Sequence, residues 1–367
     1  MEWIVRIKLG YRSYDVRIAG GLLEALGAAA AAMENVHQVA VICDSNVAPL
    51  YGTRAVGSLE AADVSATLIP FDSGEANKNL KTFAALMDSL LAIEPAIDRN
   101  TVVVAVGGGV TSDLAGYVAA SALRGLRWLC CPTTLLADVD ASVGGKTGIN
   151  HNTAGKNLIG AFHQPSGVMI DVETLRTQPD DVMKCGLAEC VKHGVIRETG
   201  LLDFIEDNAE TILARDTEVT ADLIARNVEI KAAVVADDER EAGRRAHLNF
   251  GHTIGHAIET LAGYGKTVRH GHAVALGMVA ACHMAVKRGL IEADAAARVR
   301  RLLERLGLSV RRKGLDTGKV WQIMQHDKKA RGGRVRMILP TMLGQVDIFD
   351  DITPAAVAEA VEALAAK

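Results

Sequence analysis

Four of the chain's eleven histidines fall within one segment, 249–272. His252 and His256 are four positions apart, so in a helix their imidazoles share one face about one turn apart. Two glycines then interrupt the helical pattern, and His270 and His272 follow, so the chain can fold back and bring a third imidazole to that face. Imidazole is a common ligand of zinc, which in catalytic sites takes about three protein ligands and keeps one position open. The spacing therefore predicts a divalent metal site.

This segment has two other interpretations. A lone histidine on an apolar helix face is usually a hydrogen-bonded core residue, and that remains the alternative for each imidazole. A metalloprotease helix is excluded, because HTIGH lacks the glutamate that acts as general base in HExxH.

A carboxylate from elsewhere would complete the ligand set, and Glu189 is the candidate. It lies among apolar residues in GLAECVKHGV, which predicts partial burial, and a buried carboxylate needs a partner such as a metal ion. The alternative is a surface ion pair with Lys192, three positions later on the same helix face, which would contribute little to stability.

A nucleotide site is predicted near residue 107. The apolar strand TVVVAV is followed by Gly107, Gly108, Gly109 and a helical pattern, so backbone N–H groups at a helix N-terminus would meet a diphosphate. Asp44 ends an earlier strand, where an acidic side chain can bind a ribose hydroxyl. GGGVTSD differs from the GxGxxG fingerprint, so an ordinary tight turn is the alternative for the three glycines. For Asp44 the alternative is a turn residue that ends the strand. Together the two features favour a nicotinamide cofactor.

The glycine- and asparagine-rich stretch 133–165 is predicted to be an anion-binding loop. Lys146 and Lys156 are flanked by glycines, so their ammonium groups and the neighbouring amides could hold a phosphate or a carboxylate. A solvated basic loop is the alternative.

The elements that must position these residues change character along the chain. Up to about residue 178, strands and helices alternate, which predicts an α/β domain with a parallel sheet. Within it, Ser73 or Gly74 is predicted to cap a long amphipathic helix. Helical patterns dominate after residue 178, including one over 249–261 and a closing one over 354–366.

Composition limits the class of protein. A chain of 367 residues exceeds the usual size of one hydrophobic core, so two domains are expected. The net charge of −4 gives no electrostatic footprint for nucleic acid, and no apolar run approaches the length of a membrane span. The N-terminus alternates like a strand and has no signal-peptide core. Six cysteines without CxxC spacing suit reduced thiols, so a cytoplasmic protein is expected.

With these motifs in order, the chain resembles the 3-dehydroquinate synthases of the shikimate pathway over essentially its whole length. The resemblance is carried by SGEANK, GGGVTSDLAG, PTTLLADVDASVGGKTGINH, GKNLIGAFHQP, GLAECVKHG, LNFGHTIGHAIE, HGHAVALGM and DKK. It implies a Rossmann-like, NAD-binding α/β domain over 1–178. It also implies an all-α, metal-binding domain over 179–367, with the active site in the cleft between the two domains.

The resemblance also implies roles for individual residues. It makes Glu189, His252 and His270 the ligands of zinc, for which cobalt can substitute. The residues implied to surround the substrate are Arg124, Asp140, Lys146, Asn157, Lys192, Lys231, Arg245, Asn249, His256 and one of Lys328 and Lys329. The residues implied to contact NAD are Asp44, Glu75, Lys78, Gly108, Gly109, Asp113, Thr133, Thr134, Lys146, Lys156 and Thr174. Arg124 is implied to reach a neighbouring subunit's site, which predicts a homodimer.

The implied chemistry explains why so many cationic residues are needed. The family's substrate, 3-deoxy-arabino-heptulosonate 7-phosphate, is a phosphorylated sugar acid that is anionic at both ends. Zinc would lower the pKa of its C5 hydroxyl and ease hydride loss to NAD. The resulting ketone acidifies the neighbouring C–H, phosphate is eliminated, NADH returns the hydride, and an aldol step closes the ring, so NAD is regenerated in each turnover.

The chain departs from the family pattern at one position near the predicted metal ligands, and three other functions are alternatives to the synthase. Where the family usually has HGE, this chain has His270, Gly271 and His272, and the second histidine would either compete for the metal or support its ligands. The rivals are another sugar phosphate cyclase, a metal-dependent NAD alcohol or polyol phosphate dehydrogenase, and an NAD-binding sensor without activity. The complete set of predicted ligands and lysines favours the synthase.

Overall fold

A computed structural model describes residues 1–153, 155–241, 243–263, 267–326 and 334–365. The chain forms two compact units, the first comprising Met1–Gln178 and Thr220–Ala236, the second Pro179–Val219 and Asp237–Lys367. The change of unit after residue 178 falls where alternating elements give way to helices. The segment Thr220–Ala236 packs with the first unit, although the sequence pattern groups it with the helices that follow 178. The two predicted domains stay a prediction.

The first unit is built on a seven-stranded sheet with the strand order β1-β2-β9-β6-β5-β3-β4. The strands of this unit are β1 Trp3–Ile7, β2 Tyr14–Ala19, β3 Gln38–Asp44, β4 Ser65–Phe71, β5 Val102–Gly107, β6 Arg127–Pro132, β7 Lys146–His151, β8 Gly155–Phe162 and β9 Gly167–Asp171. Only β1 and β2 pair antiparallel within the sheet; the other neighbours are parallel. The predicted parallel α/β architecture is confirmed.

The α-helices between the strands of this sheet are α1 Leu26–Ala31, α2 Thr53–Glu60, α3 Leu80–Leu91 and α4 Gly109–Ser121. Apolar residues of the sheet, such as Val41 and Val104, pack with Leu26 and Leu59 in one buried cluster. The strands β3 and β5 are buried along nearly their whole length, which is why they read as continuous apolar runs rather than as alternating patterns.

Two local predictions in this unit were wrong. The helix after β4 is capped by Asn79, whose side chain accepts from the Thr82 N–H, and not by Ser73 or Gly74. A short 3-10 turn at Glu75–Asn77 occupies the predicted start, so the helix begins later. The anion loop over 133–165 is largely ordered secondary structure: a single π turn is followed by the hairpin β7–β8, paired from Lys146↔Phe162 to His151↔Gly155.

The second unit is mainly helical. The remaining elements of the chain are α5 Asp180–Ile196, α6 Thr199–Asp207, α7 Ala209–Leu213, α8 Thr217–Asp237, α9 His252–Leu261, α10 His270–Lys287, α11 Ala293–Arg305, α12 Thr317–His326, the strands β10 Met337–Met342 and β11 Gln345–Phe349, and α13 Pro354–Ala363. Of these, most of α8 belongs to the first unit. The helix predicted over 249–261 begins only at His252, because Arg244–Asn249 forms a 3-10 segment and Gly251 adopts a left-handed φ of 76°.

Two glycines allow α5, α9 and α10 to approach closely. A Cβ on Gly277 of α10 would lie 1.8 Å from the carbonyl oxygen of Gly251, and one on Gly271 would lie 2.2 Å from the Cα of Cys185 in α5. No side chain fits at these distances, so glycine at both positions lets the three helices pack backbone against backbone. The first turn of α10 is thereby held against α5, and the helix meets the start of α9 about two turns later.

All six cysteines are buried free thiols. None of the helices within the described residues is long and apolar enough to cross a membrane.

Candidate metal and cofactor sites

Three side chains of the second unit converge as a metal-binding group. Glu189 lies in the middle of α5, whereas His252 and His270 are the first residues of α9 and α10. The Nε2 atoms of His252 and His270 lie 3.6 and 3.5 Å from Oε1 of Glu189, and one ligand atom from each residue lies within 4.8 Å of the others. Two imidazoles and one carboxylate around a common point match the donor set of a catalytic zinc site.

The hydrogen bonds of the two imidazoles fix which nitrogen faces the carboxylate. Nδ1 of His252 lies 3.0 Å from the Phe250 carbonyl oxygen, and Nδ1 of His270 lies 3.2 Å from Oε2 of Glu259. Because a carbonyl or carboxylate oxygen can only accept, each Nδ1 carries the proton, and in the neutral ring Nε2 keeps its lone pair for a metal ion.

Burial makes the carboxylate depend on a cationic partner. Glu189 is completely buried, not partly as predicted, and the polar groups that face its oxygens among the described residues are those of Lys192, His252 and His270. The ammonium of Lys192, also buried, forms an ion pair with Oε2. Oε1 is left facing two imidazole nitrogens, as expected for a metal ligand. The residues present therefore fit a divalent cation.

The same environment shifts the titration of these groups. Although burial opposes ionisation, the charge of Lys192 and the imidazoles holds the pKa of Glu189 well below its usual value. Burial lowers the pKa of His252 to about 3, so this ring is neutral, as a ligand must be. Burial also disfavours the charged form of His270, but its contacts with Glu189 and Glu259 prevail and raise its pKa to about 9.

Glu259 is a residue that the sequence analysis missed. It is 6% exposed and lies seven positions after His252, two turns along the same face of α9. That spacing was the available signal, since a carboxylate two turns from a ligand on one helix face can orient another ligand of the same ion. Glu259, His256 and His270 also form a second group of three potential ligands within 4.8 Å.

The other two histidines of the segment have different surroundings. His256 is exposed, and its ring centroid lies 5.1 Å from that of His252 and 5.8 Å from that of His270. His272 points elsewhere: its Nδ1 lies 3.0 Å from Oγ of Ser309, and it joins neither group of potential metal ligands among the described residues.

In the first unit, five of the residues implied to contact NAD lie at the carboxyl ends of three adjacent parallel strands. Asp44 ends β3, Gly108 and Gly109 follow β5, and Thr133 and Thr134 follow β6. This edge of a parallel sheet is where dinucleotides bind. Asp44 already serves the turn as well, because Oδ1 accepts from the Asn46 N–H at 2.9 Å. The predicted turn role of Asp44 and the ribose role are thus compatible, since Oδ1 and Oδ2 each accept more than one bond.

A polar network joins α4, the β7–β8 hairpin and the turn after β4. Lys78 is buried, forms an ion pair with Asp113 and donates to Oδ1 of Asn157 at 2.5 Å. Glu75 accepts from Nδ2 of Asn150 at 2.7 Å and lies 3.9 Å from the Lys156 ammonium. Burial raises the pKa of Asp113 against the opposing charge of Lys78. Thus Asn157, implied to contact substrate, shares a network with residues implied to contact NAD.

Two further predicted residues meet within the same unit. Lys231 of α8 forms an ion pair with Asp140, although 91 positions separate them, and also contacts its backbone carbonyl. Thr174, implied to contact NAD, is buried after β9 and donates from Oγ1 to the Asp171 carbonyl at 2.8 Å. Lys146 is exposed at the start of β7.

The remaining predicted substrate residues are placed as follows. Arg245 is buried and donates to the Glu239 carbonyl, and Asn249 donates from Nδ2 to Oε1 of Glu241 at 3.1 Å. Arg124 is exposed after α4 in the left-handed region, with a φ of 66°. Lys328 and Lys329 lie outside the described residues.

Comparison with known families identifies two matching regions. Residues 68–185 match the model of the 3-dehydroquinate synthase N-terminal region, and residues 186–330 match that of the C-terminal region. The chain is 44% identical over 352 residues to the 3-dehydroquinate synthase of Desulforamulus reducens, covering 96% of this chain and 97% of the relative. It is 46% identical over 342 residues to that of Geobacter metallireducens, covering 93% and 94%.

Solved structures of lower sequence identity share the fold of this chain. The fold matches that of 2-epi-5-epi-valiolone synthase from Streptomyces hygroscopicus, solved with NAD+ and Zn2+, with a TM-score of 0.88, 27% identity and 99% of each chain covered. It matches 2-deoxy-scyllo-inosose synthase, solved with carbaglucose-6-phosphate, NAD+ and Co2+, with a TM-score of 0.88, 26% identity and 98% and 99% of the chains covered. An iron-containing alcohol dehydrogenase, 15% identical with a TM-score of 0.67 and 95% and 97% covered, shares the fold alone.

Proposed function

The chain belongs to the 3-dehydroquinate synthase family, and we propose that its Glu189, His252 and His270 hold the divalent metal ion on which that reaction depends. Its activity is the conversion of 3-deoxy-arabino-heptulosonate 7-phosphate to 3-dehydroquinate and phosphate, a step of the shikimate pathway. The enzyme is an NAD- and metal-dependent lyase. The single observation that supports the proposed site most strongly is the convergence of both Nε2 atoms on the buried Oε1 of Glu189.

The identity of the ion is part of the proposal. Two imidazoles and a carboxylate suit zinc, and cobalt accepts the same donors and geometry. A metal ion held by these three residues would lower the pKa of the substrate's C5 hydroxyl, and bound NAD would supply reversible hydride transfer. The protein's own contribution is to fix the tautomer and the orientation of the two rings, because the bonds from Nδ1 to Phe250 and Glu259 leave Nε2 as the nitrogen for the metal ion once each ring is neutral.

Cationic and amide side chains are proposed to bind the two anionic ends of the substrate. Phosphate and carboxylate groups are best held by several charge-assisted hydrogen bonds at once. The residues proposed for this role are Lys146, Asn157, Lys192, Lys231, Arg245, Asn249, His256 and one of Lys328 and Lys329. Asp140 is proposed to lie beside the reacting carbon chain. Its ion pair with Lys231 holds that ammonium in position in the absence of substrate.

The NAD contacts are proposed at the carboxyl edge of the sheet in the first unit. Backbone N–H groups of Gly108 and Gly109 at the start of α4 suit the diphosphate. Asp44 is proposed to accept from a ribose hydroxyl. The other proposed NAD contacts are Glu75, Lys78, Asp113, Thr133, Thr134, Lys146, Lys156 and Thr174.

A homodimer in the cytoplasm is proposed as the working form. An exposed Arg124 whose backbone is held in the left-handed region supports a role at another subunit's site. Six buried free thiols support a reducing compartment.

The proposal is tested by assaying the purified protein with NAD, zinc and the heptulosonate phosphate while phosphate and NADH are followed together. Phosphate release over many turnovers with no accumulation of NADH is expected, because the hydride is returned in each cycle. A dehydrogenase would instead accumulate NADH without releasing phosphate. The variant His252→Ala should lose both phosphate release and bound zinc, whereas His37→Ala, which alters an exposed histidine in the first unit, should retain both.

A further inference from the structure

A polar cavity of about 410 Å³ lies in the second unit and has no role in the proposed reaction. It is lined by Asp181, Thr267, Val268, Arg269, His272, Leu276, Ser309, Arg311 and Arg312. None of these residues belongs to either group of potential metal ligands. The volume is that of a small-molecule site and too small for a folded partner.

His272 faces this cavity because of its position on α10. Residues two positions apart on a helix point to different sides, so His270 can face Glu189 while His272 faces Ser309. The Ser309 N–H donates to Nδ1 of His272 at 3.1 Å. An Nδ1 that accepts leaves the ring proton on Nε2, and Nε2 lies 3.7 Å from Oδ1 of Asp181, beyond normal hydrogen-bond distance, so it can donate to a ligand in the cavity. The histidine that replaces the family's usual acidic residue thus supplies a hydrogen-bond donor.

The charge of the lining is strongly positive. Three guanidiniums, those of Arg269, Arg311 and Arg312, face a single carboxylate, that of Asp181. Arg269 lies 3.3 Å from Asp181 and Arg311 3.2 Å from Glu304, but these pairs are roughly half exposed and readily exchanged for a stronger anion. Within the described ranges Arg312 has no ion pair, and its backbone N–H is anchored to the Leu364 carbonyl at 2.9 Å.

We propose that this cavity binds a small phosphorylated metabolite, with Arg311 and Arg312 holding the phosphate group and Nε2–H of His272 donating to it. Guanidinium forks match phosphate oxygens in pairs, and a dianion neutralises the excess charge of the lining. Inorganic phosphate shares this chemistry. The volume of the cavity favours a phosphorylated metabolite over inorganic phosphate, since it leaves room for the organic part of a phosphate ester beside the phosphate group. The site does not depend on the metal or on the proposed reaction.

The test is titration with glycerol 3-phosphate and inorganic phosphate at constant ionic strength, with the imidazole nitrogens of His272 followed by NMR as a local reporter. Saturable shifts of the His272 signals are expected with both probes and at lower concentration with the ester. In the Arg311→Ala/Arg312→Ala double variant the Kd reported by these shifts should rise at least tenfold. The matched control is Arg301→Ala, an exposed arginine of α11 outside the cavity, which should leave the Kd unchanged.

Following His272 itself separates this cavity from phosphate bound by the proposed substrate residues. Unaltered unfolding midpoints would show that both arginine variants are folded. Three outcomes would overturn the proposal: no saturable shift at His272, an unchanged Kd in the double variant, or a response to malonate that neither phosphate probe produces. Equal affinity for both probes would contradict the proposal that the ligand is a phosphorylated metabolite and would indicate a site for inorganic phosphate.

Discussion

At the scale of single residues, the metal site depends on which nitrogen of each imidazole carries a proton. Glu259 decides this for His270, because its Oε2 lies 3.2 Å from Nδ1. A ligand histidine that loses such a carboxylate keeps its position in the chain but loses its fixed tautomer and orientation.

The substitution Glu259→Gln should therefore weaken zinc binding about 10- to 100-fold without removing a ligand. The amide can still accept from Nδ1, but it carries no charge and can also turn its NH2 group toward the ring. Competition with a chromophoric chelator would give the affinity, and Glu229→Gln, an exposed glutamate of α8, is the matched control. Equal zinc affinity in Glu259→Gln and the unaltered chain would show that Glu259 does not orient His270.

A second prediction concerns pH. In the metal-free protein the pKa of His270 is raised to about 9, so protonation of this ring stabilises the folded state. That contribution is complete below the unfolded pKa of about 6.5 and is lost as pH rises through about 9. Because a ligand imidazole must be neutral, metal binding displaces this proton, and affinity should rise up to about tenfold per pH unit and level off near pH 9.

The measurement is the apparent Kd for Co2+ between pH 6.5 and 9.5, corrected for hydrolysis of the free ion. In Glu259→Gln the levelling point should move to lower pH, because one of the groups that raises the pKa of His270 is gone. A pH-independent Kd would contradict this prediction, because it would show that metal binding displaces no proton from His270.

At the scale of elements, the three ligands meet because α5, α9 and α10 approach through glycine. A methyl group on Gly277 would lie 1.8 Å from the Gly251 carbonyl oxygen, which is backbone and cannot move aside independently. Overpacking of this kind costs about 1–3 kcal/mol or more.

Gly277→Ala should lower the free energy of unfolding by at least that amount and also weaken zinc binding, since α9 and α10 carry one ligand each. Chemical denaturation with and without zinc measures both effects. The control is Gly57→Ala in α2, where a Cβ meets nothing within 4 Å and helix propensity alone should leave stability equal or raise it by about 0.5–1 kcal/mol. If the two variants were equally stable, close packing of α9 on α10 would not be what positions the ligands.

What the sequence could predict at this scale follows from the range of the interactions. Strands such as β3 and β5 and helices such as α4 and α10 were predictable, because apolar periodicity and flanking glycines are local signals. The cap at Asn79 and the start of α9 were not, since each depends on which of several adjacent polar or glycine residues the tertiary structure selects. Residue type and spacing predicted a metal site with Glu189 as its candidate carboxylate, but they placed His256 beside His252. The choice of His252 and His270 came from the family resemblance, and their convergence on Glu189 required the fold.

The least predictable features pair residues far apart in sequence. No local sequence pattern predicts the ion pair between Lys231 and Asp140, or the hydrogen bond from the Ser309 N–H to Nδ1 of His272. The β7–β8 hairpin was missed for the opposite reason, because its glycine, asparagine and lysine content is typical of a loop while backbone pairing keeps it extended.

At the scale of the whole molecule, the proposed homodimer makes a prediction about mixed subunits. If Arg124 acts in the partner's site, Arg124→Ala and His252→Ala should each be inactive alone, yet a mixed dimer holds one intact site. Randomly paired subunits should regain about one quarter of full activity, because half of the dimers are mixed and each has one working site.

Co-refolding or co-expression of the two variants, followed by the phosphate-release assay, measures this. Mixing His252→Ala with Glu189→Gln is the matched control, since both changes disable the same proposed metal site and a mixed dimer has no intact copy of it. Recovery no greater in the first mixture than in the control would contradict a role for Arg124 across subunits.

The proposed reaction depends on the binding of one divalent cation by Glu189, His252 and His270. The direct measurement is anomalous diffraction at the zinc edge, from crystals grown with zinc and NAD. A single strong peak is expected about 2.0–2.2 Å from a carboxylate oxygen of Glu189 and from Nε2 of both histidines. A peak instead among His256, Glu259 and His270, the second group of potential ligands, would contradict it.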